Sequence, residues 1–173
     1  MALNATYYGT LVEAEEYFVT RLHEFAWSSA SATDKTNALI SARRLIDGLN
    51  FKGNKHPVYT VLEADPDADI ETIQAAEATQ PNEFPRGADT TVPEDIRIAQ
   101  YEIAHSLLDN KDPELELEVL AVTGQTYGGV KTTYERGQTP IEHLINMIPN
   151  AVAWRLIRPY LRDGDAVKIT RVS

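Results

Sequence analysis

Apolar residues recur every three or four positions through three long stretches of this 173-residue chain. That spacing collects them on one face of a helix. In "TLVEAEEYFVTRLHEFAW" they are Leu11, Ala14, Phe18, Leu22 and Phe25, and Thr10 and Glu13 stand at capping-box spacing. "KTNALISARRLIDGLNF" repeats the pattern at Leu39, Ala42, Leu45, Ile46 and Leu49, with Thr33 or Asp34 as the cap and "FKGN" as the stop. The short polar link "SSASATD" predicts that the two helices pair as an antiparallel hairpin. "TVPEDIRIAQYEIAHSLLDNKDP" is the best-signalled helix. Pro93 holds a first-turn position, Glu94 and Asp95 face the positive end of the dipole, and Asp112-Pro113 lies beyond the end. Its stripe is Ile96, Ala99, Ile103, Ala104, Leu107 and Leu108.

Elsewhere the pattern changes. "VLAVTGQTYGGVKTTYE" sets β-branched residues on either side of Gly-Gly and predicts a β-hairpin at about 119–135. "TPIEHLINMIPNAVAWRLIRPYLRDGD" predicts two short helices separated by Pro149, with Pro140 and Asn150 as start signals, and "AVKITRVS" an extended tail. Residues 54–83 contain the acidic run "ADPDAD", broken by Pro66, and a weak helix around Ile70–Ala78. They read as a surface insertion that makes little of the core. In "QPNEFPRG", Pro81 and Pro85 stiffen the backbone around Phe84. This predicts a rigid lead-in that plugs Phe84 into the core and sets Arg86 beside the following helix. The expected fold is therefore mainly α. It is a small helical bundle, one domain over 1–173, with a β-hairpin at about 119–135 and an extended C-terminal tail at about 165–173.

Charge adds an asymmetry. The net charge is −10. Residues 119–173 hold seven basic side chains (Lys131, Arg136, Arg155, Arg158, Arg162, Lys168, Arg171) against four acids, a net +3, which leaves −13 for the rest. Such a division suits copies that meet head to side, or docking on a charged partner. The acidic total disfavours general adhesion to nucleic acid. The chain has no cysteine, which removes disulfides, thiol nucleophiles and Cys-ligated zinc. It begins without the basic start and apolar run of a signal peptide and has no stretch of membrane-spanning length, so a soluble protein made in a cytoplasm is expected.

Candidate chemistry is sparse. "GQTYGGVKT" nearly spells a phosphate-binding loop, but Val130 is one residue too many and "VKTTYE" reads as strand instead of the helix that loop must open. Glu102 and His105 have the Glu-x-x-His spacing of di-iron bundles, yet the second copy is missing, because Glu142 and His143 are adjacent. His105 reads as a surface or core-edge histidine, and His23 and His56 have no partner at ligand spacing. No catalytic, cofactor or metal residue is expected. Tyr127 and Tyr134, interleaved with Lys131 and Arg136, could stack and clamp single-stranded nucleic acid or pack on the bundle or a neighbour. Trp27, Phe84 and Trp154 read as structural anchors. Arg155, Arg158 and Arg162 recur at helical spacing and read as one basic face.

Taken in order, "YGTLVEAEEYFVTRLHEFAW", "ALISARRLIDGL", "FPRG", "VPEDIRIAQYEIAHSLLD", "YGGVKTTYERG" and "AWRLIRPYLRDG" resemble the head–tail connector (adaptor) proteins of tailed bacteriophages. Relatives of that group are sometimes described as primosome-type single-stranded-DNA-binding proteins. The resemblance covers nearly the whole chain apart from about 54–79. It implies a structural virion protein without enzymatic activity or cofactor, made in the host cytoplasm and placed at the head–tail junction. Its copies would form a ring, commonly twelve-fold, beneath the portal protein and present a site to the tail or next neck protein. Genomic DNA would pass through the channel unbound, and no membrane would be involved. The resemblance further implies that the C-terminal tail grips the portal, here Lys168, Ile169, Thr170, Arg171, Val172 and Ser173. Tyr127, Lys131, Tyr134, Arg136, Arg155, Arg158 and Arg162 are the expected subunit or partner interface. The alternative function is single-stranded-DNA binding in replication.

Overall fold

The computed structural model describes residues 6–121, 124–127, 130–133 and 142–162, and it is mainly helical. Helix α1 (Leu11–Thr20) opens with the capping box: Thr10 Oγ1 accepts from the Glu13 amide at 3.2 Å, and Glu13 Oε2 accepts from the Thr10 amide at 2.7 Å. The helix predicted to continue to Trp27 stops at Thr20. His23 takes a left-handed φ of 58°, and one further turn, α2 (Phe25–Ser28), folds back to stack Trp27 on Phe18 at 4.4 Å between centroids. Leu22 and Phe25, expected on the buried stripe, are 82% and 78% exposed.

Helix α3 (Ala32–Asp47) is capped by Ser31, whose hydroxyl accepts from the Asp34 amide, so the cap lies ahead of Thr33 and Asp34. Its buried face is Ala38, Leu39, Ala42 and Ile46. Helices α4 (His56–Ala64) and α5 (Ile70–Ala78) pack on each other; α4 buries Val58 and α5 buries no side chain. Helix α6 (Glu94–Leu108) follows, with Pro93 just ahead of its first turn. Next comes α7 (Pro113–Ala121), at a place where Asp112-Pro113 reads in the sequence as a stop. The same dipeptide also starts a helix: proline loses nothing at the first position, and Asp112 Oδ1 accepts the Glu114 amide at 3.0 Å.

Strand is scarce. Four-residue strands β1 (Gly124–Tyr127) and β2 (Val130–Thr133) pair antiparallel, with Gly124 opposite Thr133. The β-hairpin expected at about 119–135 as a component of the fold is not supported, since so little of the described chain is strand and 119–121 belong to α7. Two short helices, α8 (Glu142–Ile145) and α9 (Ala151–Ile157), and a 3-10 turn (Arg158–Tyr160) end the described chain. The expected tail residues Lys168 to Ser173, with Tyr134 and Arg136, lie outside the described residues.

The core is built around α6. Helix α3 packs chiefly on α6 instead of forming the predicted hairpin with α1, and α9 packs on α6 as well. Ile96, Ala99, Ile103 and Ala104 are buried, but so are Gln100, Tyr101, Glu102, His105 and Ser106. From Ala99 to Ser106 the helix is buried on every side, where polar groups need partners inside the fold; the Tyr101 hydroxyl has none among the described residues, whereas Gln100 finds two. Gln100 does so by clamping the N-terminal segment, accepting from Tyr8 N at 2.8 Å and donating to Tyr8 O at 2.9 Å.

Candidate interaction surface

The turn after α1 owes its shape to Arg21. Its guanidinium meets Glu102 on α6 at two points, Nε to Oε1 at 2.7 Å and Nη2 to Oε2 at 2.9 Å. Its Nη1 donates back to the carbonyls of Leu22 and His23, each at 3.0 Å. A planar, five-donor fork can hold a carboxylate and two carbonyls together. Glu102 also accepts from Tyr17 Oη at 2.6 Å and from Asn150 Nδ2 at 3.0 Å. Burial alone would raise the Glu102 carboxyl, but the bonds from Arg21 and Tyr17 outweigh it and hold its pKa below the ordinary value. Burial, then Glu102, pushes the Tyr17 phenol up. His105, stacked on Phe18 and 3.1 Å from the His23 carbonyl, is pushed down by burial and by the Arg21 charge.

Because this network holds the turn, Leu22 and Phe25 point outward on a fixed backbone. Val19, at the end of α1, is 85% exposed beside them in sequence. A shallow groove of about 300 Å³ lies beside Val19, lined by Glu15, Phe18, Val19, Arg21, Glu24, Trp27 and Ser28. Glu16 and Glu24 supply negative charge around this apolar turn, while Glu15 is engaged by Lys35 at 2.8 Å and by Trp27 Nε1 at 3.1 Å.

A second exposed face lies on α9. Asn150 caps the helix through Oδ1, accepting from Val152 N and Ala153 N, while its Nδ2 reaches Glu102. Ala153, Trp154 and Ile157 are buried, so Val152, Arg155 and Arg158 face out. Arg158 is loosely paired with Glu142 at 3.8 Å, with both side chains more than half exposed. Arg162 does not continue this face. The 3-10 turn at Pro159 redirects the chain, and Arg162 Nε donates to Phe51 O at 2.9 Å, tying the chain to the loop after α3.

The remaining predicted residues have definite places. Phe84 is 2% exposed and meets Tyr8, Phe51 and Tyr160 edge to face at 5.9, 4.7 and 5.7 Å. Arg86 turns away from α6 toward the 51–53 loop, donating to Lys52 O at 3.0 Å and Gly53 O at 2.5 Å, pairing with Glu83, and lying over the Phe51 ring. Trp27 is buried, and Trp154, 9% exposed, donates to Glu142 at 3.3 Å. Tyr127 pairs with Val130 in the ladder, and Lys131 with Thr126. Among the described residues no cluster of three metal-ligating side chains occurs, and no helix is long and apolar enough to cross a membrane.

Sequence reasoning missed the Arg21–Glu102–Asn150 network. One signal was available: Glu102 lies between Ala99 and Ile103 in the helix with the clearest apolar stripe, where a buried carboxylate persists only if it is paired. Which arginine pairs with it, 81 residues away, is not written in any local pattern. No family model, curated protein or solved structure matches this chain.

Proposed function

We propose that this chain is a head-to-tail connector: a structural virion protein whose copies ring the DNA channel beneath the portal and give the tail its attachment site. The observation that carries the reading is an outward basic strip, Arg155 on α9 and Arg158 at the start of the 3-10 turn, both exposed on a chain of net charge −10. A local cationic strip on an acidic body is a docking surface for an acidic neighbour, where charge sets orientation and encounter rate. The acids favour the same reading over the single-stranded-DNA alternative. Glu63, Asp65, Asp67, Asp69 and Glu71 form an exposed run between and at the ends of α4 and α5. Such a surface repels phosphate, which suits a channel that lets DNA slide and defeats a protein that must hold it.

Native mass spectrometry of the purified protein, alone and with the portal protein of the same virus, tests this. A discrete ring, or portal-dependent uptake of about a dozen copies, is the expected result. A monomer that ignores portal and binds single-stranded DNA with steep salt dependence would replace it with the alternative.

A further inference from the structure

We infer that the apolar turn between α1 and α2 is the socket for the α9 face of a second copy, so that the subunits associate head to side. The inference rests on the connector reading and names the two surfaces it would use. Val19, Leu22 and Phe25 are 85%, 82% and 78% exposed within seven residues, a density of large apolar groups that marks a contact surface. They are also held ready. Arg21 ties the turn to Glu102 and to its own carbonyls, so little order is lost when a partner binds.

The choice of a second copy comes from charge. Glu24 lines the groove beside Val19 and Glu16 is exposed one turn back on α1, while Arg155 lies one turn from Val152, which is 46% exposed, and Arg158 follows at the start of the 3-10 turn, loosely paired with Glu142. Both surfaces carry exposed apolar side chains and, among the described residues, the free charges beside them, Glu16 and Glu24 on one and Arg155 on the other, are of opposite sign. The two surfaces lie on different elements of one chain, so the contact is heterologous and propagates until it closes. Closure of the assembly adds to the strength of each contact.

The test uses full-length protein in sedimentation velocity and native mass spectrometry over a concentration series, with circular dichroism to verify folding. Phe25→Asp disables the socket, and Arg155→Glu with Arg158→Glu disables the plug. Each should weaken self-association by about tenfold or more. Mixed together, the two should give a one-to-one heterodimer and nothing larger, since one intact socket meets one intact plug. If wild type associates and both variants associate equally well, the contact lies elsewhere and the inference falls while the connector reading stands. The inference falls in the same way if Phe25→Asp loses portal binding alone and keeps self-association. If wild type neither associates nor responds to portal, both fall.

Discussion

Two arginines pin two corners of this molecule, and they do so by different means. Arg21 holds the α1–α2 turn through a buried carboxylate on a helix far away in sequence, with side-chain exposures of 21% and 5% for the pair. Arg86 holds the lead-in to α6 through nearby carbonyls and Glu83, three residues back. The hydrogen-bond inventories are similar. What differs is what lies beneath. Under Arg86 sit Phe84, Phe51, Tyr8 and Tyr160, an aromatic cluster that would keep the corner without it. Under Arg21 lies a charge that would be stranded. An ion pair becomes indispensable when one partner is desolvated, whatever the number of bonds drawn to it.

Substitutions break the comparison in a definite order. Phe84→Ala should cost the most, about 4 kcal/mol in denaturant unfolding, because it empties the centre of the aromatic cluster. A loss below about 1 kcal/mol would mean that the corner is not held by packing. Arg21→Met should follow at about 3 kcal/mol, the lower end for a broken buried pair, because partial exposure of Arg21 lets water reach Glu102. Here Arg21→Met with Glu102→Gln should recover much of the loss; no recovery in that double variant would mean the charge is not the cause. Arg86→Ala should cost only about 1 kcal/mol, and equality with Arg21→Met would erase the distinction.

Acid gives the gentlest probe, and its sign is fixed. His105 is depressed below 6.5 in the fold, so the unfolded chain takes the proton first, and stability falls as pH drops below that value. Glu102 is depressed below 4.5, and its contribution, present above that value, is lost on further acidification through its folded pKa. Both act in the same direction, first His105 and then Glu102. Unfolding midpoints should decline in two stages, and His105→Asn should flatten the first. A midpoint constant from pH 7 to 5 in the unsubstituted protein would remove His105 from the network.

How much of this is readable from the residues depends on the range of the interaction that decides each feature. The Thr10–Glu13 cap, the Asn150 start and the α6 stripe are settled within one helical turn, and all are legible. Asp112-Pro113 is locally ambiguous, since the same pair ends one helix and begins another. The end of α1 is illegible for a different reason. Leu22 and Phe25 continue the helical period faithfully, while the chain leaves it at Arg21, which is held by Glu102, 81 residues on, with His105 at the His23 carbonyl beside it. Of the candidate surfaces, the α9 arginines can be placed by spacing, but the proline turn removes Arg162 from them. The apolar turn itself reads as core in the sequence, because periodicity reports that a face is apolar and never what will cover it.

The carboxylate of Glu102 takes Arg21 on both oxygens and shares Oε2 with Asn150. It thus joins the turn that presents Phe25 to the cap from which Val152, Arg155 and Arg158 project. If these are plug and socket, their mutual angle within a subunit sets the curvature of whatever the copies build. A single buried side chain would then act as a gauge: Glu102→Asp, one methylene shorter, would reset the pitch and with it the number of subunits that closes a circle.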